Sequence, residues 1–217
     1  MLAFANRTAA GRVLASRLRG DAWERPVVLA LPRGGVPVAA EVAAELDAPL
    51  GIVAVRKIGA PGHPEYAVGA LAEGGICVVD DEAVHATRMT PAQLDRTIAA
   101  EGRELERRVA LYRRAAAAPE VERRDVVLVD DGLATGLSAV AAARAVQVHR
   151  PRRLVIASPV ASHEAVALLE PEADLIDVVE VPDRFEAVGH WYVDFGQTSD
   201  AEVVALLSGA SGRPGPG

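Results

Sequence analysis

The stretch Val126 to Ala139, VVLVDDGLATGLSA, puts two adjacent carboxylates, Asp130 and Asp131, between an apolar run and a glycine-punctuated turn. A buried strand has little packing reason to end in two acids. Carboxylates accept hydrogen bonds, so the pair suits a ribose diol or a hydrated Mg²⁺. Beyond them, Gly132 and Gly136 allow tight backbone geometry. The amides from about Thr135 to Ser138, with two hydroxyls, can converge on a phosphate at the positive end of a helix dipole. A diol beside a phosphate describes a ribose 5′-phosphate. Read alone, the same residues also fit an acidic strand end with an ordinary turn, or the acidic pocket of a phosphoacceptor signalling domain.

Two further segments can meet anions. In LPRGGVPVA, Leu31 to Ala39, Gly34 and Gly35 let backbone amides approach a ligand, and Arg33 adds a charge-assisted contact. A Gly-Gly turn after a strand is common, so this segment is weak by itself. In VRKIGAPGHPEYAVGAL, Val55 to Leu71, Arg56 and Lys57 leave a strand and a Gly/Pro-rich stretch carrying His63 follows. Solvated strand-end charges explain Arg56 and Lys57 equally well in isolation.

Buried strands and alternating helices must position these groups. Short β-branched runs recur near 26–31, 51–56, 125–130, 153–160 and 175–181, several apolar on both faces, with alanine-rich helical stretches at 36–47, 137–149 and 162–170. This pattern predicts a doubly wound α/β fold with a mainly parallel sheet and right-handed crossovers. Ligands of such sheets bind outside the carboxyl ends of the strands. Weaker strands at 67–71 and 76–79 flank Glu73 to Gly75 and read as a hairpin. Thr90 and Pro91 open a long surface helix whose stripe is Leu94, Ile98, Leu105, Val109 and Tyr112. Its charge run is expected to be a solvated face. Residues 208–217 lack apolar material and are expected to be disordered.

The segment VVLVDDGLATGLS resembles the phosphoribosyl pyrophosphate (PRPP) motif of type I phosphoribosyltransferases, and PRGG and the Arg56–Lys57 segment fall in that family's order. Three departures stand out. Gly132 replaces a usual aliphatic residue, Ala134 a common Thr or Ser, and Leu137 a small residue. The resemblance covers roughly residues 1–207. It implies Mg²⁺-dependent transfer of a 5-phosphoribosyl group from PRPP to a nitrogen acceptor, a nucleobase or its precursor, with pyrophosphate released. In that scheme Asp130 and Asp131 hold the ribose hydroxyls and the metal, and Ala134, Thr135, Gly136, Leu137 and Ser138 anchor the 5′-phosphate. Arg33, Gly34, Gly35, Arg56 and Lys57 meet the pyrophosphate, and His63 assists proton transfer. A loop over 57–66 is expected to be mobile without ligand, because Gly59, Pro61, Gly62 and Pro64 oppose regular pairing. A small C-terminal hood near 182–200, with Phe185 and Trp191, would cover the base. The family also implies a cis peptide between Pro32 and Arg33.

Composition narrows the classes. A net charge of −7 and a pI near 5.3 disfavour a general nucleic-acid binder. Cys77 is the only cysteine, which excludes an internal disulfide, and no apolar run approaches a membrane span. A cytoplasmic chain acting on PRPP and a small acceptor is expected, with room for a homodimer. A PRPP-sensing or nucleotide-sensing regulator with the same fold is the alternative, since it could retain every one of these residues.

Overall fold

The computed structural model describes residues 3–211. Its elements run α1 (Arg7–Leu18), β1 (Val27–Ala30), α2 (Gly35–Glu45), β2 (Leu50–Ile52), β3 (Val55–Ala60), β4 (His63–Ala72), β5 (Ile76–Val79), α3 (Asp81–Ala86), α4 (Pro91–Ala115), β6 (Asp125–Val129), α5 (Leu137–Gln147), β7 (Arg153–Val160), α6 (His163–Leu169), β8 (Leu175–Glu180) and α7 (Asp200–Ser211). Five strands form one parallel sheet in the order β2-β1-β6-β7-β8, and β3, β4 and β5 form a separate antiparallel sheet.

The strand sequences explain the layering. Successive side chains point to opposite faces. Val28, Ala30, Val127 and Val129 pack into one core with Leu14, Val36, Val42, Val203 and Leu207. Their neighbours Val27, Leu29, Val126 and Leu128 pack into another with Val140, Ala142 and Ile156. Helices therefore cover both faces, which is why β1 and β6 are fully buried and, apart from Asp125 at the start of β6, apolar.

Three expectations need correction. The run at 51–56 is not one strand: it breaks after Ile52, and Val55 begins β3 in the second sheet. Residues 57–66 are not an unpaired loop, because β3 pairs with β4 out to Ala60 opposite His63. The Gly/Pro content acts locally instead. The register slips around Gly59, so residues 64–66 bulge from β4, and Gly62 takes a left-handed φ of 76° in the turn. At the other end α7 continues to Ser211, four residues into the stretch expected to be disordered, and residues 212–217 lie outside the described residues.

Helix α4 begins as its sequence dictates. The Thr90 side chain accepts from Gln93 N while the Gln93 side chain accepts from Thr90 N, a reciprocal capping box with Pro91 next to it. Leu105 and Tyr112 are buried, and the Tyr112 hydroxyl donates to Asp200 Oδ1 at 2.6 Å, tying α4 to the start of α7. Gly102, within α4, has open space where a Cβ would stand. Gly102→Ala should therefore stabilise the protein by about 0.5–1 kcal/mol through helix propensity, read as a raised thermal midpoint.

Candidate active site

Strand order reverses between β2 and β6 on either side of β1, so the loops after β1 and β6 part and leave a crevice at their carboxyl ends. A cleft of about 760 Å³ lies there. It is lined by Pro32, Arg33 and Gly34 after β1, by Arg56, Lys57 and Gly59 to Pro61 of the second sheet, and by the turn from Asp130 to Gly136. Ser138 lines it too. Three segments that were separate in the sequence thus meet in one crevice. A hollow of similar size, about 810 Å³, lies by α2 and α7, but alanines dominate its wall.

The turn after β6 is built as an anion cradle. Gly136 precedes α5 with φ 78° and supplies no side-chain cap, and the first amide in the helical ladder is that of Val140, bonded to Gly136 O. The amides of Leu137, Ser138 and Ala139 are left for a ligand at the dipole's positive end. Ser162 fixes the turn from behind. Its hydroxyl donates to Ala134 O at 2.6 Å and accepts from Ala165 N at 2.9 Å, while its own amide donates to Leu133 O. One serine thus caps α6 and anchors the cradle.

The loop after β1 presses against the two acids. Pro32–Arg33 is a cis peptide, as the family resemblance implied. A Cβ on Gly34 would stand 2.0 Å from Asp131 Oδ2, and one on Gly35 would stand 2.7 Å from Val129 O. Both positions demand glycine because backbone and acid approach so closely. Gly132 has a comparable reason. A Cβ there would lie 2.3 Å from Val188 Cγ1, so Val188 fills the room that an aliphatic residue at 132 would otherwise occupy.

Burial pushes the Asp130 carboxyl well above the usual range, and the neighbouring Asp131 charge pushes it the same way. A bond from Asp131 N and the Lys57 charge oppose them. Asp131 is held differently: Arg7 Nε donates to its Oδ2 at 2.6 Å, and the Tyr192 hydroxyl donates to its carbonyl at 2.5 Å. Arg56 pairs with Glu101 of α4 at 2.6 Å, and Arg33 lies 3.9 Å from Asp200.

Several expected site residues fall elsewhere. Trp191 is 4% exposed and packs with Phe4, Ala10, Val160 and Tyr192, and Phe185 packs against the same cluster. The wall on that side is Val188 and Phe195 instead. Alternation along an irregular segment gave no means of ranking its aromatics. The side chain of Leu137 and the whole of Gly35 are buried, so these two can offer a ligand only their backbone. His63 sits exposed at the hairpin turn, outside the cleft lining. The face of α4 expected to be solvated also contributes, since Thr97, Glu101 and Arg108 line the cleft.

Comparison with known proteins decides the family. The model of the phosphoribosyl transferase domain matches residues 3–195. The chain belongs to the type I phosphoribosyltransferase family. Two Mycobacterium tuberculosis proteins, MT0597 and Rv0571c, each named as a candidate phosphoribosyl transferase, are 43% identical over 210 residues, covering 97% of this chain and 47% of their own length. The chain therefore spans about half the length of these curated relatives. The crystal structure of TT1426 from Thermus thermophilus is 46% identical, covers 96% of this chain and 99% of its own, and superposes with a TM-score of 0.79. AQ2163 from Aquifex aeolicus shares the fold at 15% identity and a TM-score of 0.54, over 84% of this chain and 78% of its own. The phosphoribosyltransferase fold is thus present with its five-stranded parallel sheet and its small antiparallel hairpin sheet.

Proposed function

We propose that this phosphoribosyltransferase domain transfers the 5-phosphoribosyl group of PRPP to a nitrogen of a small acceptor and releases pyrophosphate. One observation carries the reading: Pro32 to Gly34, Arg56 and Lys57, the acid pair, and Ala134 to Gly136 with Ser138 all line a single cleft whose volume suits a small substrate. The cradle amides hold the 5′-phosphate. Asp130 and Asp131 accept from the ribose hydroxyls. Breaking the C1–O bond puts positive charge on the ribose and negative charge on the departing pyrophosphate, so the acids stabilise the first and Arg33, Arg56 and Lys57 the second.

Mg²⁺ fits the donor set on stated terms. Asp130 and Asp131 are the only carboxylates on the turn after β6, and the described residues hold no group of three or more His, Cys, Asp or Glu placed to bind a metal. An ion that keeps several waters and takes its other oxygens from a diphosphate suits two carboxylates. When bound it would neutralise charge on the leaving group.

Pyrophosphate release from PRPP and Mg²⁺, measured over a panel of purines, pyrimidines and their precursors, tests the reading. At least one acceptor should support turnover. Tight PRPP binding with no release across the panel would favour a PRPP-sensing role instead. In the active protein Lys57→Ala should lower turnover about 10²-fold while weakening PRPP binding less than about tenfold, because the exposed lysine acts on charge that develops in the transition state. A loss confined to affinity would contradict that role.

A further inference from the structure

The second acid of the motif is not free to meet substrate with both its oxygens. Arg7, the first residue of α1, donates from Nε to Asp131 Oδ2 at 2.6 Å, and both side chains are nearly buried, at 12% and 13% exposed. The guanidinium carbon lies 3.9 Å from the centre of the Phe195 ring, and Phe195 stacks on Tyr192 with centroids 5.0 Å apart. A second nitrogen of Arg7 donates to Gly196 O at 2.5 Å. The loop after β1 abuts the same oxygen, since the space a Gly34 Cβ would need is already taken by Oδ2. The carboxylate is therefore clamped by a guanidinium from the start of the chain and by the loop after β1.

The clamp is itself built into the fold. Asn6 caps α1 by accepting from Ala9 N, which fixes the helix start from which Arg7 projects. Residues 4 and 5 run beside the hood segment, with Phe4 N donating to Trp191 O and Val193 N and Asp194 N donating to Phe4 O and Ala5 O. Tyr192, locked in that ladder, reaches the Asp131 carbonyl. The hood segment and the N-terminal segment thus act as one unit, and what they jointly grip is Asp131. A surface ion pair would stabilise little, but this pair is largely withdrawn from water and has an aromatic ring covering one face.

We propose, building on the PRPP reading above, that Arg7 is a positioning residue of the ribose site. It commits Asp131 Oδ2 and leaves Oδ1 aimed at the substrate diol, so the acid does not have to be ordered when substrate arrives. Preorganisation of this kind appears as affinity, because the cost of fixing the carboxylate is met during folding.

The test is a double-mutant cycle on PRPP binding in the presence of Mg²⁺, followed by calorimetry. Arg7→Gln should weaken PRPP about 10- to 100-fold in the unaltered background and less than twofold in the Asp131→Ala background, where no side-chain acceptor remains for Arg7 to hold. Arg7→Lys should recover part of the loss, keeping the charge without the fork that serves Asp131 and Gly196 together. Arg12→Gln, which removes a pair with Glu41 on the same helix, should leave affinity unchanged. Equal losses from Arg7→Gln in both backgrounds would overturn the proposal and make Arg7 a purely structural residue. Unchanged affinity in the unaltered background would overturn it as well. Should Arg7→Gln fail to fold, Arg7→Lys carries the same cycle. If the unaltered protein does not bind PRPP, the functional reading falls and this proposal with it, an outcome distinct from binding that ignores Arg7.

Discussion

Replacing both Asp130 and Asp131 with asparagine should abolish detectable PRPP binding while the protein stays folded. Asparagine keeps an oxygen that can accept from Arg7 and from Asp131 N, so the local bonds that shape the turn survive. What disappears is the negative charge offered to the diol and the metal. Hydrogen bonds to charged groups contribute about 1.5–3 kcal/mol each, so losing two charged acceptors should weaken binding by roughly 10²- to 10⁴-fold. Calorimetry reads the affinity and the thermal midpoint reads the fold. Equal PRPP affinity in the double variant would remove the acids from the site.

Gly34→Ala should have an effect of similar size through sterics alone. Gly34 has φ −60° and ψ −35°, a conformation alanine adopts readily, so no backbone strain enters. The added methyl would nevertheless lie 2.0 Å from Asp131 Oδ2 and 2.6 Å from its Cγ. Either the carboxylate leaves Arg7 or the loop after β1 lifts away from β6. Both outcomes disturb the diol and pyrophosphate ends of the cleft together. The expected result is a loss of PRPP affinity of about 10²-fold and a stability decrease of about 1–3 kcal/mol, the usual cost of overpacking. Gly20→Ala, where the new methyl meets nothing within 4 Å, is the matched control and should leave affinity at its parent value.

The sheet was legible because its strands are buried on both faces, and burial on both faces writes itself into sequence as uninterrupted β-branched runs. The cradle was legible for a related reason: a turn that approaches an anion must be glycine-rich wherever it occurs. The contacts that close the site left no such trace. Arg7 meets Asp131 across 124 positions, and one arginine among several in α1 carries no mark of its partner. Glu101 and Arg108 looked like part of a solvated charge run because helical periodicity reports which face is apolar, not which polar residue overhangs a cleft. Phe195 and Val188 belong to a segment with little regular structure, where no period exists to tell wall from core. The break at Ile52 was hidden because Val53 and Ala54, the two residues between the sheets, are themselves buried and apolar.

That two-residue break decides where the substrate-facing cation can stand. Strand residues advance about 3.3 Å each, so Ala60 lies roughly 17 Å out along β3 from Val55 while Arg56 lies only about 3 Å out. Glu101 further moors Arg56 to α4, and Ile58 and Ala60 are buried, so the hairpin is seated on the core along its length. The chain leaves one sheet and enters the other within two residues, and the cation at the root of the hairpin is therefore anchored by both sheets while the far end, Gly59 to Pro61, forms the outer wall of the cleft.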